Sequence, residues 1–115
     1  MENFLVVEKN DIIVGTVNLV RATSEEAEEF KTLLFDQIKK GKCKIIVDLN
    51  QCAFIDSTFL STLIVILKEV LKNGGNVGLV SEQEEVVEIL EATGMKKVFN
   101  IYPNLSDALE SFNKV

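Results

Sequence analysis

The chain has 115 residues, the usual size of one domain and too short for two. Its composition is that of a globular protein, and its net charge of −6 argues against a nucleic-acid partner while allowing a basic protein surface. The N-terminus lacks the basic stretch of a signal peptide, and no apolar run approaches the roughly 18 residues that span a bilayer. We expect a cytoplasmic protein without membrane insertion, with a single domain spanning residues 1–115.

The chain contains no histidine, which removes the commonest general base, the Ser-His-Asp and Cys-His catalytic arrangements and histidine metal ligands. Its two cysteines, Cys43 and Cys52, lie nine residues apart, which matches neither a CxxC redox motif nor half of a common zinc site. We therefore expect no enzymatic activity, no metal and no cofactor.

The first half of the chain predicts a hairpin, a helix and a buried strand. Val- and Ile-rich runs on either side of Glu8–Asp11 are typical of two strands joined by a turn. Thr23 and Glu26 form a capping box before a helical apolar pattern that Gly41 ends. The short apolar run Lys44–Leu49 is typical of a strand buried on both faces.

The second half alternates helices and strands. The sequence predicts a helix over 58–72 ended by Gly74 and Gly75, followed by a strand over 76–80. A capping box of Ser81 and Glu84 predicts the start of the next helix, which Gly94 ends. A strand over 98–102 and a last helix capped by Asn104 complete the chain.

The predicted order is β-β-α-β-α-β-α-β-α. This predicts an α/β fold with an N-terminal β-hairpin, a mixed but mostly parallel sheet, and helices packed against the sheet. Functional groups in such folds gather outside the carboxyl ends of the strands. The loop QCAFIDST, residues 51–58, leads from the buried strand into the second helix and is the first candidate site.

Asp56, Ser57 and Thr58 admit two interpretations. In the first, the Ser57 hydroxyl caps the helix that follows, a role for which serine is well suited. In the second, Ser57 is an exposed acceptor of phosphate, because the free N–H groups and the dipole at a helix start favour an added anion. The residue types alone leave both open.

The chain contains, in order, a strand ending in Asp-Leu, the motif Ile-Asp-Ser-Thr, an apolar helix, Gly-Gly, a strand and LEATGM. This series resembles the STAS domain family, in particular the bacterial anti-sigma factor antagonists. The resemblance covers nearly the whole chain, including the hairpin and the end of its second strand at Gly15–Asn18. It implies a STAS-like fold and a small regulatory protein that is not an enzyme.

The resemblance also implies partners and a site. Antagonists of this family bind an anti-sigma factor that is also a serine kinase, and so regulate sigma-factor-dependent transcription. The kinase phosphorylates the serine that follows the motif aspartate, and a serine phosphatase reverses the step. By position, Ser57 is the acceptor, Thr58 the weaker candidate, and Asp56 the acid that orients the loop.

Two positions depart from the family pattern. Phe59 stands where glycine is common, and Asn18 stands where the antagonists usually carry Asp. We expect the partner-binding surface to comprise Asp56, Ser57, Thr58, Phe59 and Asn18, with Phe59 as a possible apolar anchor. The alternative function is a STAS interaction subunit that is not phosphorylated and belongs to a larger assembly, such as a stress complex or a lipid transporter. Small-molecule binding on the same scaffold also stays open, since a fold does not fix a function.

Overall fold

The computed structural model describes residues 2–113. The strands within this range are β1 (Phe4–Lys9), β2 (Ile12–Val17), β3 (Arg21–Ala22), β4 (Lys44–Asp48), β5 (Phe54–Ile55), β6 (Asn76–Val80) and β7 (Asn100–Tyr102). The helices are α1 (Ser24–Lys39), α2 (Ser57–Lys72), α3 (Glu84–Ala92) and α4 (Leu105–Phe112), with a 3₁₀ turn at Met95–Lys97.

One five-stranded sheet organises these elements, in the order β1-β2-β4-β6-β7. Strands β1 and β2 form the antiparallel hairpin, and the other neighbours are parallel. The α/β fold class, the hairpin and the mixed, mostly parallel sheet are therefore confirmed. Since β2, β4, β6 and β7 point the same way, the loops that follow them lie at one edge of the sheet.

The two faces of the sheet are covered unequally. Helices α1, α2 and α3 pack on one face, and α4 packs on the other through Ala108, Leu105 and Leu109. Strand β4 lies between the two layers, and Ile45, Ile46 and Val47 are each 0% exposed. The prediction of a strand buried on both faces is confirmed.

Most helix ends lie where the capping residues and glycines of the sequence predict them. Thr23 caps α1, and its backbone N–H donates to Glu26 Oε1 at 2.9 Å, which completes the predicted capping box. Gly41, Gly74 and Gly94 have φ of 84°, 80° and 75°, the left-handed conformation that ends helices at glycine. These three predicted ends are confirmed.

The predicted capping box at Ser81 and Glu84 is wrong. Helix α3 begins at Glu84, and its N-cap Gln83 makes no side-chain cap bond. The Ser81 hydroxyl instead accepts a bond from Gln83 N at 3.2 Å, while Ser81 N donates to the Tyr102 carbonyl at 3.0 Å. The chain therefore stays beside β7 at Ser81 and turns into the helix two residues later than a box requires.

The strand predicted over 98–102 is shorter than expected, because β7 covers only Asn100–Tyr102. The backbone N–H groups of Val98 and Phe99 both donate to the Met95 carbonyl, at 3.1 and 2.9 Å. These bonds hold the preceding segment in a tight turn and delay its entry into the sheet.

Gly75 packs too closely against the segment before β4 for any side chain. A Cβ at this position would overlap the Cys43 carbonyl oxygen, which accepts a bond from Asn76 N at 3.0 Å. We predict that Gly75→Ala lowers the free energy of unfolding by about 2 kcal/mol, as expected for overpacking. Urea denaturation followed by circular dichroism measures it.

Gly15→Ala is the matched control. A Cβ at Gly15 would lie 3.4 Å from the Leu34 side chain, an ordinary contact, so we expect a change below about 1 kcal/mol. Equal losses in the two variants would contradict the close approach at Gly75.

Candidate functional site

The candidate loop is held at the carboxyl edge of the sheet by a short second ladder. Strands β3 and β5 pair in parallel, with Arg21 opposite Phe54 and Ala22 opposite Ile55. Just before this ladder, the N–H groups of Ala53 and Phe54 donate to the Val20 carbonyl at 2.8 and 3.1 Å. The loop after β4 therefore runs alongside the segment that leads from β2 into α1.

Asp56 bonds to the first turns of two helices. Its Oδ1 accepts from Phe59 N at 2.8 Å, which makes Asp56 the N-cap of α2. Its Oδ2 accepts from Ser24 N at 2.9 Å, in the first turn of α1. Its backbone N–H donates to the Ala22 carbonyl at 3.1 Å. One carboxylate thus satisfies two of the N–H groups that helices leave unpaired.

Ser57 is not the cap of α2. The helix begins at Ser57, one residue earlier than the sequence predicts, and Asp56 occupies the capping position. The side chains of Ser57 and Thr58 are both exposed, and within residues 2–113 the Ser57 hydroxyl makes no hydrogen bond. The capping interpretation of Ser57 is therefore wrong, and its hydroxyl stands at a helix start with no structural task.

Phe59 is not an anchor for a partner, and that expectation is wrong. Its side chain is 0% exposed. Its ring lies 5.4 Å from the Phe30 ring and 6.5 Å from the Phe4 ring, centroid to centroid. Because the cap at Asp56 fixes where the helix begins, the third helical residue faces the core. A ring at this position is compatible with an open surface at Ser57.

Asn18 lies near the same edge but serves the N-terminal segment. It follows β2 and is partly buried, and its backbone N–H donates to the Asn3 carbonyl at 2.8 Å. Its side-chain amide donates to the Glu2 carbonyl at 3.4 Å. The structure therefore gives Asn18 a supporting contact and places it at the edge that carries Ser57, without a bond to the Asp56-Ser57 pair.

A second side chain braces the loop from the side of α3. Asn50 Oδ1 accepts from Glu82 N at 2.7 Å, and the Asn50 carbonyl accepts from Gln83 Nε2 at 2.9 Å. Asp48 Oδ1 in turn accepts from Asn50 N at 3.0 Å. The loop is fixed to α1 by Asp56 and to the start of α3 by Asn50, so Ser57 is presented on a well-supported backbone.

Sequence reasoning missed the exposed residues of the short ladder. Val20 is 67% exposed, and the Arg21 guanidinium lies 4.3 Å from the centroid of the Phe54 ring. A two-residue strand is too short to show a periodic pattern, so neither β3 nor β5 was predictable. We call Val20, Arg21, Phe54, Ser57 and Thr58 together the switch surface.

The STAS domain model matches residues 11–108. The chain belongs to the STAS domain family. A Thermotoga maritima protein provisionally named an anti-sigma factor antagonist is 35% identical over 91 residues, which are 78% of this chain and 80% of that protein.

Solved structures agree with this family. A T. maritima crystal structure, also provisionally named an anti-sigma factor antagonist, superposes with a TM-score of 0.89 at 31% identity, over 96% of this chain and 95% of that one. The Bacillus cell fate determinant SpoIIAA in its phosphorylated form superposes with a TM-score of 0.75 at 14% identity, over 95% and 98% of the two chains. The latter likeness shows a shared fold.

Within residues 2–113 of this STAS domain, no group of three His, Cys, Asp or Glu side chains is arranged to hold a metal ion. Over the same range, no helix is both long enough and apolar enough to cross a bilayer. An open cavity of about 240 Å³ lies between the last turn of α4 and strands β6 and β7, lined in part by Phe112 and by Asn76 and Asn100 at the amino ends of the two strands. It lies at the edge of the sheet opposite Ser57.

The dual bond of Asp56 predicts a graded stability series. Asp56→Ala should lose about 2 kcal/mol of unfolding free energy, because a cap and a second bond to a charged group disappear together. Asp56→Asn should lose about 1 kcal/mol, since an amide can accept at one of the two positions only. Urea denaturation measures both.

Ser57→Ala is the control for this series. It should change stability by less than about 0.5 kcal/mol, because the hydroxyl bonds to nothing that holds the fold. A loss in Ser57→Ala as large as that in Asp56→Ala would show that the cap had been assigned to the wrong residue.

Cys52 belongs to the candidate loop, and its side chain is buried in the core. Burial, with a smaller contribution from Asp48, raises the pKa of Cys52 to about 12. Because the thiolate is the nucleophile, we predict that iodoacetamide at pH 8 modifies the partly exposed Cys43 in the folded protein and reaches Cys52 only in urea. Mass spectrometry of the two peptides measures it, and equal labelling of both cysteines in the folded protein would contradict this packing.

Proposed function

We propose that this STAS domain is an anti-sigma factor antagonist whose Ser57 is the phosphoacceptor. It binds an anti-sigma factor that is also a serine kinase, and so frees a sigma factor for transcription. Phosphorylation of Ser57 ends the binding, and a serine phosphatase restores it. The observation that carries the proposal is the exposed Ser57 hydroxyl, which Asp56 leaves free by capping α2 itself.

The chemistry belongs to the kinase, and this chain supplies the acceptor. The Ser57 oxygen forms a bond to the γ-phosphorus of ATP, while the bond from that phosphorus to the oxygen bridging to the β-phosphate breaks. The hydroxyl proton passes to a base of the kinase, and ADP leaves. The chain itself acts as a regulator rather than an enzyme, in the cytoplasm where sigma factors meet RNA polymerase.

The fold tolerates the added phosphate. Beyond its Asp56 cap, helix α2 has no acidic side chain in its first turn, so an anion at Ser57 meets the positive end of the helix dipole and the N–H groups that Asp56 leaves unpaired. SpoIIAA, which shares this fold, has structures in both phosphorylated and unphosphorylated forms. We therefore expect phosphate to leave the domain folded.

The same phosphate opposes docking. It adds a charge of about −1.5 to −2 beside Asp56, in the middle of the switch surface. The first turns of α1 and α3 begin at the same edge and already carry Glu25, Glu26, Glu84 and Glu85. A partner shaped for a hydroxyl at Ser57 would have to bury this charge. A loss of about 3 kcal/mol would weaken binding roughly 100-fold.

The alternative function is an interaction subunit that never carries phosphate. In the sequence, Phe59 favours this alternative, because an exposed phenyl ring beside Ser57 would block the close approach of a kinase. The ring is in the core instead, so this observation no longer distinguishes the two functions. The alternative becomes an outcome of the following test.

We predict that pure protein incubated with ATP and a lysate of its source organism gains phosphate on Ser57. Mass spectrometry of the tryptic peptide 45–68 locates it. Thr58→Ala should be phosphorylated like the unaltered protein, and Ser57→Ala should gain no phosphate on this peptide. Absence of phosphate in a lysate whose kinases are shown to be active would favour the subunit function.

Binding separates the two functions further. The isolated anti-sigma factor of the same organism should bind Ser57→Ala as tightly as the unaltered protein and bind Ser57→Asp at least about 10-fold more weakly. Equal affinity for the two variants would contradict the switch.

A further inference from the structure

We propose that Arg21 is the intramolecular partner of phosphoserine 57, and that phosphorylation moves its guanidinium from the Phe54 ring to the phosphate. The proposal rests on the proposed function in one respect, namely that Ser57 is the residue phosphorylated. It adds a second residue to the switch and a second change to the switch surface.

The first observation is the position of Arg21. Arg21 pairs with Phe54 in the ladder, and the two chains continue side by side, because Ala22 accepts from Asp56 N and Ser24 donates to the Asp56 carboxylate. Ser57 follows directly after Asp56. It is three residues beyond Phe54, at most about 10 Å along the chain. The long, flexible side chain of Arg21 therefore starts from the strand that runs beside this loop.

The second observation concerns the exposure and the contacts of the Arg21 guanidinium. Arg21 is exposed, and it takes part in none of the ion pairs found within residues 2–113. It stacks on Phe54, at 4.3 Å from the ring centroid. Stacking of a cation on a partly exposed ring is a weak interaction, whereas an arginine–phosphate pair is bidentate and charge-assisted. The guanidinium therefore binds a phosphate within its reach in preference to the ring.

The third observation is the distribution of charge. Arg21 is the only arginine of the chain, and no lysine occurs in residues 10–30, 45–67 or 73–95. These three segments contain the carboxyl ends of β2, β4 and β6 and the first turns of α1, α2 and α3. Lysines cluster instead near the opposite edge, as at Lys39, Lys40, Lys44 and Lys72. Arg21 is thus the one cation in these three segments, and carboxylates such as Asp56, Glu25 and Glu84 lie at the same edge.

The consequence is a two-part change of the switch surface. Before phosphorylation, a partner meets a guanidinium lying over Phe54 next to a neutral hydroxyl. After phosphorylation, the guanidinium is engaged by the phosphate, the Phe54 ring is uncovered, and a dianion occupies the centre of the surface. A partner that reads Arg21 and Ser57 together loses both contacts in one event.

The test needs no kinase. Phosphoserine is incorporated at position 57 of the full chain during translation, and the spectra of the phosphorylated and unmodified proteins are compared. Because Arg21 is the only arginine, its side-chain Nε–Hε group gives one assignable NMR signal. We expect this signal to move downfield on phosphorylation, through loss of the ring current of Phe54 and gain of a hydrogen bond to phosphate.

The second readout is the phosphate itself. Phosphorus NMR gives the second pKa of phosphoserine, which is about 6 when unperturbed. A nearby guanidinium favours the dianion and lowers this pKa, so Arg21→Gln should raise it by at least about half a unit. Arg21→Lys should restore most of the lowering, since it keeps the charge.

Lys72→Gln is the matched control. It removes one positive charge at the far end of α2, roughly 22 Å from Ser57 along the helix, beyond the reach of screened surface charges. It should leave the phosphoserine pKa unchanged. Equal shifts in Arg21→Gln and Lys72→Gln, or an Nε–Hε signal that phosphorylation does not move, would overturn the pairing.

This outcome is separable from the proposed function. If phosphate installed at Ser57 engages Arg21 but no kinase of the organism modifies Ser57, the pairing stands and the proposed function fails. If the kinase modifies Ser57 and the Arg21 signal does not move, the proposed function stands and the pairing fails.

Discussion

The arrangement of this site depends on one carboxylate shared between two helices. The two oxygens of Asp56 lie 2.8 and 2.9 Å from the backbone nitrogens of Phe59 and Ser24. They therefore fix where α2 begins and tie it to the first turn of α1. The helical register that follows turns Phe59 into the core beside Phe30 and leaves Ser57 facing outward. A neutral residue at position 56 would satisfy at most part of this bonding.

Because Asp56 caps α2, Ser57 at the start of the helix is free for regulation. If serine were the cap, phosphorylation would replace its hydroxyl acceptor with phosphate oxygens and so change the cap itself. Here the neighbouring aspartate caps the helix, and the added charge changes what a partner meets rather than how the chain folds. The supports at Asn50 and along the short ladder keep the surface in place in both states.

Much of the fold could be predicted from the sequence, because the deciding interactions are local. Glycines in the left-handed conformation end α1, α2 and α3, and the apolar run after Cys43 forms the central strand. What could not be predicted depends on contacts between distant segments. The Asp56 carboxylate bonds to a residue 32 positions away, and β3 and β5 exist only because the two loops meet. Asp56, Ser57 and Thr58 are each of a residue type that can cap α2. The bond between Asp56 and Ser24 of α1, which the sequence does not reveal, favours Asp56 as the cap.

The most direct test of the shared carboxylate is hydrogen exchange at the amides of Ser24 and Phe59. Both N–H groups should exchange slowly in the unmodified protein, and equally slowly when phosphoserine occupies position 57, since Asp56 holds them in either state. Loss of protection at either amide on phosphorylation would show that the phosphate replaces Asp56 as the cap. The switch would then act by rearranging the fold, and the shared carboxylate would not hold the two helices in both states.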